Sequence, residues 1–321
     1  MVNCIDCGSE NCPCVLATSG DCLTCSRLQG KDYCDCNWKG VCIYNEYIQN
    51  FKKIQNSREL QEVNILSKLK FPDELYVLCL DVGKGFALKA SHPGSFVFLQ
   101  PELNTPYYST PISVLASDID SGVLYVAVKN VGVKTKSICS KEDKLFMKGV
   151  YRNGIIGLTQ FVLKLKYPHI TSNVPESADI PQFKQERLMI ITKGVGFAPA
   201  INLINLCWDK CPVDIVIDKD KICSELVSDF LNPAMTESLS LVSLANPVSM
   251  DTLRSRIQEG SYTAVAVFAS EYYQSEIKKF LPPDIHFMFS NNTTLCCGEG
   301  ICGACGFGNQ YGQVHKACKC Y

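Results

Sequence analysis

The chain has 321 residues, of which 46% are hydrophobic and 20% charged, and its formal net charge is −1 at neutral pH. That length suits two or three domains at roughly 100–200 residues each. The near-zero charge argues against nucleic acid as the main partner, because phosphate binding needs a basic surface. No apolar run approaches the ~20 residues of a membrane span. The start, Met1-Val2-Asn3-Cys4, lacks the basic-then-apolar pattern of a signal peptide, so a cytoplasmic, reducing setting is expected.

In such a setting 20 cysteines read as metal or redox residues rather than disulfides. Nine of them, Cys4, Cys7, Cys12, Cys14, Cys22, Cys25, Cys34, Cys36 and Cys42, crowd into residues 1–43 as close pairs and one single. A segment this short has no room for a large core, so metal binding would be its main source of folding energy. Zinc and a second iron–sulfur cluster are both open here, and a disulfide framework is the plainer alternative. The middle cysteines, Cys79, Cys139, Cys207, Cys211 and Cys223, read as ordinary thiols that pack as small hydrophobes.

Residues 44–71 are expected to form a helical connector, since Tyr44, Tyr47, Ile48, Phe51 and Ile54 recur at spacings of three and four. Residues 72–168 then show short β-branched and aromatic runs between turn signals. The runs are 75–80, 86–89, 96–99, 112–115, 123–128 and 161–165, which predict an antiparallel barrel. Over 185–290 strands alternate with helices, with strands at 188–192, 213–217, 239–244, 264–268 and 285–289, which predicts a doubly wound α/β sheet.

Glycines at the first strand–helix junction, in Thr192-Lys193-Gly194-Val195-Gly196-Phe197-Ala198-Pro199, would let a diphosphate approach backbone amides. Asp218 and Asp220 end the second strand, where a carboxylate can bind a ribose hydroxyl. Lys219 and Lys221 beside them weaken that reading, and a solvated loop is the alternative.

The tail, 291–321, carries Cys297, Cys302, Cys305 and Cys318 in the order Cys-x4-Cys-x2-Cys-x12-Cys, the plant-type spacing for a 2Fe-2S cluster. Zinc sites more often use two knuckles with a longer gap between them. Cys296 and Cys320 flank the set as spare thiols or alternative ligands.

A barrel, a nucleotide domain and this cysteine tail together resemble the ferredoxin–NADP reductase superfamily. The likeness is greatest to the branch holding the electron-transfer subunit of type B dihydroorotate dehydrogenase and the small subunit of NADH-dependent ferredoxin:NADP oxidoreductase, once called sulfide dehydrogenase. It covers roughly residues 72–321 and leaves out the N-terminal module. The resemblance implies FAD against the barrel, with Pro111, Ile112, Ser113 and Val114 matching the flavin-binding strand and Gly154 and Gly157 the turn near the diphosphate. It implies NAD(P) at Gly194, Gly196, Ala198 and Pro199, and a 2Fe-2S cluster on the four tail cysteines. Family members usually carry arginine just before the flavin strand. Here Ser109 and Thr110 stand there, so Lys148 or Arg152 is expected to supply the missing charge.

The implied activity is electron transfer from NAD(P)H through flavin and cluster to a catalytic large subunit or a ferredoxin-like acceptor. A non-catalytic redox sensor or docking protein that has lost flavin turnover is the alternative.

Overall fold

The computed structural model describes residues 4–36, 38, 40–105, 108–166, 186–222, 224–308 and 314–320. Cys223 and the expected domain limits at 168 and 185 lie outside them. The chain opens with a small module containing α1 (Val15–Ser19) and α2 (Ile43–Gln49). Its core is limited to Ala17, Cys25, Leu28, Ile43 and Tyr47.

Six antiparallel strands then close into a barrel: β1 (Gln61–Phe71), β2 (Leu75–Asp81), β3 (Phe96–Gln100), β4 (Thr110–Asp118), β5 (Val123–Lys129) and β6 (Lys144–Tyr151). Their order around the barrel is β1-β2-β5-β4-β3-β6, and closure leaves no free edge. Its interior is filled by Leu78, Leu80, Val97, Leu99, Val114, Leu124 and Val126, each fully buried.

Two expectations within this region are corrected. The helical connector ends at Gln49, and residues 61–71 are a barrel strand paired with β2 and β6. Only the first turns of the apolar stripe find a surface to pack on; beyond them, antiparallel pairing outweighs helix periodicity. The run at 86–89 lies in α3 (Lys84–Ala90), which buries Ala87 and Ala90. The stretch at 148–158 begins as the end of β6. Between β5 and β6 the chain also forms α4 (Val133–Cys139).

The run at 161–165 belongs to α5 (Leu158–Lys166), which follows the short β7 (Ile155–Ile156). Leu158, Phe161, Val162 and Leu165 sit at helical spacing and face the core of the α/β domain. Both elements therefore belong to that domain, and the barrel ends near Tyr151 rather than at 168.

The α/β sheet runs β10-β9-β8-β11-β12-β7, where β8 is Leu188–Thr192, β9 Val213–Asp218, β10 Leu239–Val242, β11 Ala264–Phe268 and β12 His286–Ser290. All of these neighbours are parallel except β7 against β12. β8 and β11 are buried along their whole lengths, as central strands covered on both faces require. The helices are α6 (Phe197–Cys207), α7 (Ser224–Phe230), α8 (Pro247–Glu259) and α9 (Glu271–Lys278).

Helix α6 is apolar nearly all round because it lies between sheet and barrel. Its one buried amide, Asn202, donates to the Val114 carbonyl at 3.1 Å and pins the helix to β4. A two-stranded ribbon, β13 (Gly306–Gly308) and β14 (Val314–Lys316), follows. Beyond it Cys320 forms a β-bridge with Cys4, and the Ile5 amide donates to the Lys319 carbonyl at 2.9 Å. The two ends of the chain thus meet. Among the described residues no helix is long and apolar enough to cross a membrane.

Candidate functional site

The strand order reverses between β8 and β11, and open α/β sheets bind ligands in the crevice outside the carboxyl ends of such strands. A cavity of about 740 Å³ lies there, within the usual range for cofactor sites. Its α/β wall is Lys193, Val195, Gly196 and Pro199 after β8, and Ala269, Ser270, Glu271 and Tyr272 after β11. Its barrel wall is Phe96, Pro111, Ser113 and Gly154, and Ser290 to Thr293 with Leu295 close it from the C-terminal side.

The predicted flavin strand splits by the alternation of β4. Pro111 and Ser113 face the cavity, while Ile112 and Val114 fill the barrel interior. Gly154 lines the cavity, and its amide donates to the Gly94 carbonyl at 2.9 Å. Gly157 lies elsewhere, against the carbonyl of Phe287 in β12.

The predicted nucleotide turn also divides. Gly196 and Pro199 line the main cavity, Ala198 is buried in the domain core, and Gly194 borders a second cavity of about 180 Å³ with Asp220 and Lys221. A side chain at Gly196 would collide with the Phe268 carbonyl oxygen, so close packing of strand and helix already demands glycine there.

Three residues expected to bind ligand are otherwise engaged. Asp218 is fully buried, forms an ion pair with Lys193 and accepts from the Asp220 amide at 2.8 Å. Neither Lys148 nor Arg152 lines the main cavity. Lys148 lies 3.3 Å from Glu299, and Arg152 donates to the Lys89 carbonyl at 3.3 Å, on the side of the N-terminal module. The cation that does line the cavity is Lys193, which sequence reasoning passed over. Its place beside the glycine turn was the available signal.

Next to the cavity the C-terminal loop gathers its thiols. Positive φ at Gly298, Gly300 and Gly303 curls the backbone, and the Glu299 amide donates to Cys297 Sγ at 3.3 Å. A hydrogen bond shared with Cys318, helped by the amides of Cys302, Glu299 and Ile301, holds the Cys297 thiol far below its usual range. Cys318 is pushed up in return by its hydrogen bond to Cys297 and by burial, with Cys305 adding to the shift. Cys302 neighbours Cys297, while Cys296 is exposed. Among the described residues no three His, Cys, Asp or Glu side chains converge on a single ion-sized point.

Cys305 and Cys318 share an apolar cluster with Phe96, Phe98, Tyr151, Leu295 and Ala317. Phe96 and Leu295 belong to both structures: they line the cavity and they pack in the cluster that holds these thiols. The loop is also anchored by polar bonds. Tyr151 Oη donates to Glu299 at 2.8 Å, and Asn153 donates to the Ala317 carbonyl at 2.6 Å.

No protein-family model matches the chain, and no curated protein matches it. Among solved structures it is similar to an NADH-dependent reduced ferredoxin–NADP oxidoreductase described for flavin-based electron bifurcation. Identity is 16% over 80% of this chain and 85% of that one, with a TM-score of 0.55. The chain has the ferredoxin–NADP reductase-like fold. It is also similar to an intact type IV self-sufficient cytochrome P450 monooxygenase, with 12% identity over 85% of this chain and 42% of that one and a TM-score of 0.53. A third similar structure is full-length CYP116B46 from Tepidiphilus thermophilus, with 10% identity over 74% of this chain and 29% of that one and a TM-score of 0.50.

Proposed function

We propose that the chain is an electron-transfer oxidoreductase that moves electrons between a nicotinamide nucleotide and a partner protein. FAD would occupy the main cavity, and Cys297, Cys302, Cys305 and Cys318 would hold a 2Fe-2S cluster. The observation that carries this reading is the shared wall. Phe96 and Leu295 line the flavin-sized cavity and also pack among the side chains around Cys305 and Cys318.

The residues present fit both groups. Four thiols beside a loop with inward amides suit a cluster that needs thiolate ligands and hydrogen-bonded sulfurs. A 2Fe-2S group takes two thiolates at each iron, so it does not call for three side chains about one point. The cavity's size suits a flavin ring and a nicotinamide. When bound, the two groups supply the change between two-electron and one-electron transfer.

The chain's own part is positioning and shielding. Ser113 and the Gly154 backbone face the flavin side of the cavity, while Ser270 and the start of α9 face the nucleotide side. The amide ends of α6 and α9 favour phosphate there. Lys193 offers a positive charge, held in place by Asp218. Phe96, Phe98 and Leu295 keep water from the gap between cavity and thiols. The Cys297 thiolate is stabilised by amides whose loop is fixed through Glu299.

Thr110 stands where arginine is usual, and this favours one second reading: a sensor or docking protein that keeps the cluster without flavin. The test is the flavin, iron and sulfide content of anaerobically purified protein, with and without Cys302→Ser. We expect stoichiometric FAD together with iron and sulfide, and loss of iron but not flavin in the variant. Iron without flavin would select the sensor reading, and absence of iron and sulfide would overturn both.

A further inference from the structure

The reading above makes no use of the cysteines of the N-terminal module, and two of them meet in a loop at its surface. Cys34 Sγ and Cys36 Sγ lie 3.7 Å apart, within reach of a shared hydrogen bond. Both are free thiols, Cys34 exposed and Cys36 half-buried. Among the described residues no third His, Cys, Asp or Glu side chain joins them about one ion-sized point. The arrangement is one of two sulfurs facing each other, not of a converging ligand set.

The loop that carries them is held from behind. The amide of the intervening Asp35 donates to Ser26 Oγ at 3.1 Å, and Ser26 is buried. The Asp35 carboxylate pairs with Lys31 at 3.3 Å. With its middle residue tied down, the loop keeps the two thiols side by side. A disulfide sets its sulfurs about 2.05 Å apart, so closing one here asks for a movement of roughly 1.7 Å. The two thiols also differ. Cys34 is the one open to solvent. The Trp38 amide favours the thiolate of Cys36, but the bond shared with Cys34 and partial burial raise that thiol overall. Cys34 is therefore placed to attack first and Cys36 to follow.

We propose that Cys34 and Cys36 form a thiol–disulfide exchange site for a low-molecular-weight disulfide. Such a molecule reaches an exposed thiol without needing a docking surface. The Cys34 thiolate attacks one sulfur of the small disulfide; a bond forms to Cys34, the small disulfide's own bond breaks, and one thiolate leaves. Cys36 then gives up its proton and attacks the Cys34 sulfur. The Cys34–Cys36 bond forms and the second thiolate leaves. The two protons end on the two released thiols, so the chain has lost two electrons and the small disulfide has gained them. Exposed disulfides are the readily reduced ones, and an excess of small thiol drives both steps backwards.

The experiment uses the full chain, purified anaerobically and incubated in mixtures of reduced and oxidised glutathione before quenching with an alkylating agent. Cleavage after Lys31 and Lys39 releases Cys34 and Cys36 on one peptide with no third cysteine, so mass spectrometry reads their state directly. The wild type is compared with Cys34→Ser, Cys36→Ser and, as an exposed control, Cys42→Ser. Iron and flavin are counted before and after oxidation.

In the oxidised mixtures the wild-type peptide should lose two hydrogens and resist alkylation, and in the reduced mixtures both thiols should return. Cys36→Ser should keep glutathione on Cys34, because nothing displaces it, while Cys34→Ser should react little at Cys36. Cys42→Ser should behave as the wild type. If the serine variants do not fold, the wild-type titration decides. Glutathione retained on Cys34 of the wild type, no reaction in any mixture, or bonds from either thiol to Cys25 or Cys42 instead would overturn the proposal. So would loss of iron as the pair oxidises, which would make these thiols part of a metal site. Because iron and flavin are counted in the same sample, failure here is distinct from failure of the electron-transfer reading.

Discussion

Arg58 Nη2 lies 2.6 Å from Asp6 Oδ1, and the two side chains are only 5% and 4% exposed. They belong to a buried network that ties four parts of the chain together. Arg58 also donates to the Val150 carbonyl at 2.9 Å and lies over the Tyr151 ring at 4.5 Å. Lys319, fully buried, pairs with Asp6 and with Glu299, the latter at 2.9 Å. Asp6 and Glu299 are thus each paired with Arg58 and Lys319, and the less buried Lys148 also reaches Glu299 at 3.3 Å, so neither carboxylate is left without a partner inside the protein. The result is a clasp between the N-terminal module, the segment leading into the barrel, the end of β6 and the C-terminal cysteine loop.

Removing one member of the clasp should cost more than removing a pair. Arg58→Met leaves the Asp6 carboxylate short of a partner and should destabilise the protein by about 3–5 kcal/mol. Adding Asp6→Asn restores the balance of charge and should recover much of that loss. Denaturant unfolding of the single and double variants measures the coupling; equal losses would mean that the ion pair is not what holds the module.

The clasp also sets a pH dependence. Burial alone would raise Asp6, but hydrogen bonds from Arg58 and the charge of Lys319 hold it below its ordinary value. Glu299 is lowered in the same way, with Lys319 and Arg58 overcoming its burial. A depressed carboxylate contributes stability above its unfolded pKa and loses it as the pH falls through its folded one. Stability should therefore hold from neutrality to about pH 4 and drop below it. Arg58 and Lys319 are raised, so their contribution remains throughout this range. Unfolding midpoints against pH check this, and the Asp6→Asn/Arg58→Met double variant should show a shallower acid slope.

Gly196→Ala tests whether that glycine serves packing or phosphate binding. Its Cβ would press into the Phe268 carbonyl oxygen, so a loss of about 1–3 kcal/mol is expected even without any nucleotide. Thermal unfolding of the ligand-free protein reads the effect. An undiminished melting temperature with weakened nucleotide binding would point to phosphate instead.

The proposed flavin site is tested by Thr110→Arg, which supplies the charge that the resembling family carries just before this strand. Thr110 Oγ1 now donates to the Tyr108 carbonyl at 2.8 Å. A charge-assisted hydrogen bond adds about 1.5–3 kcal/mol, so FAD should bind roughly ten-fold tighter or better. Flavin fluorescence titration of apoprotein measures it.

Much of this protein could be read from local sequence. The apolar run Leu188–Thr192 and the strand–helix alternation after it determine an α/β domain, since a central parallel strand must be apolar on both faces. The spacing of Cys297, Cys302, Cys305 and Cys318 likewise places four thiols in or beside one C-terminal loop.

Tertiary structure decided the rest. Barrel closure chose which side of β4 meets the cavity, so Pro111 and Ser113 face it while Ile112 and Val114 do not. Pairing with β2 and β6 made a strand of residues 61–71, and the α/β core kept Leu158–Lys166 helical. The meeting of Asp6, Arg58, Glu299 and Lys319 left no trace in local pattern. Residues so far apart in the chain come together only when folding has met the entropy of closing the loops between them.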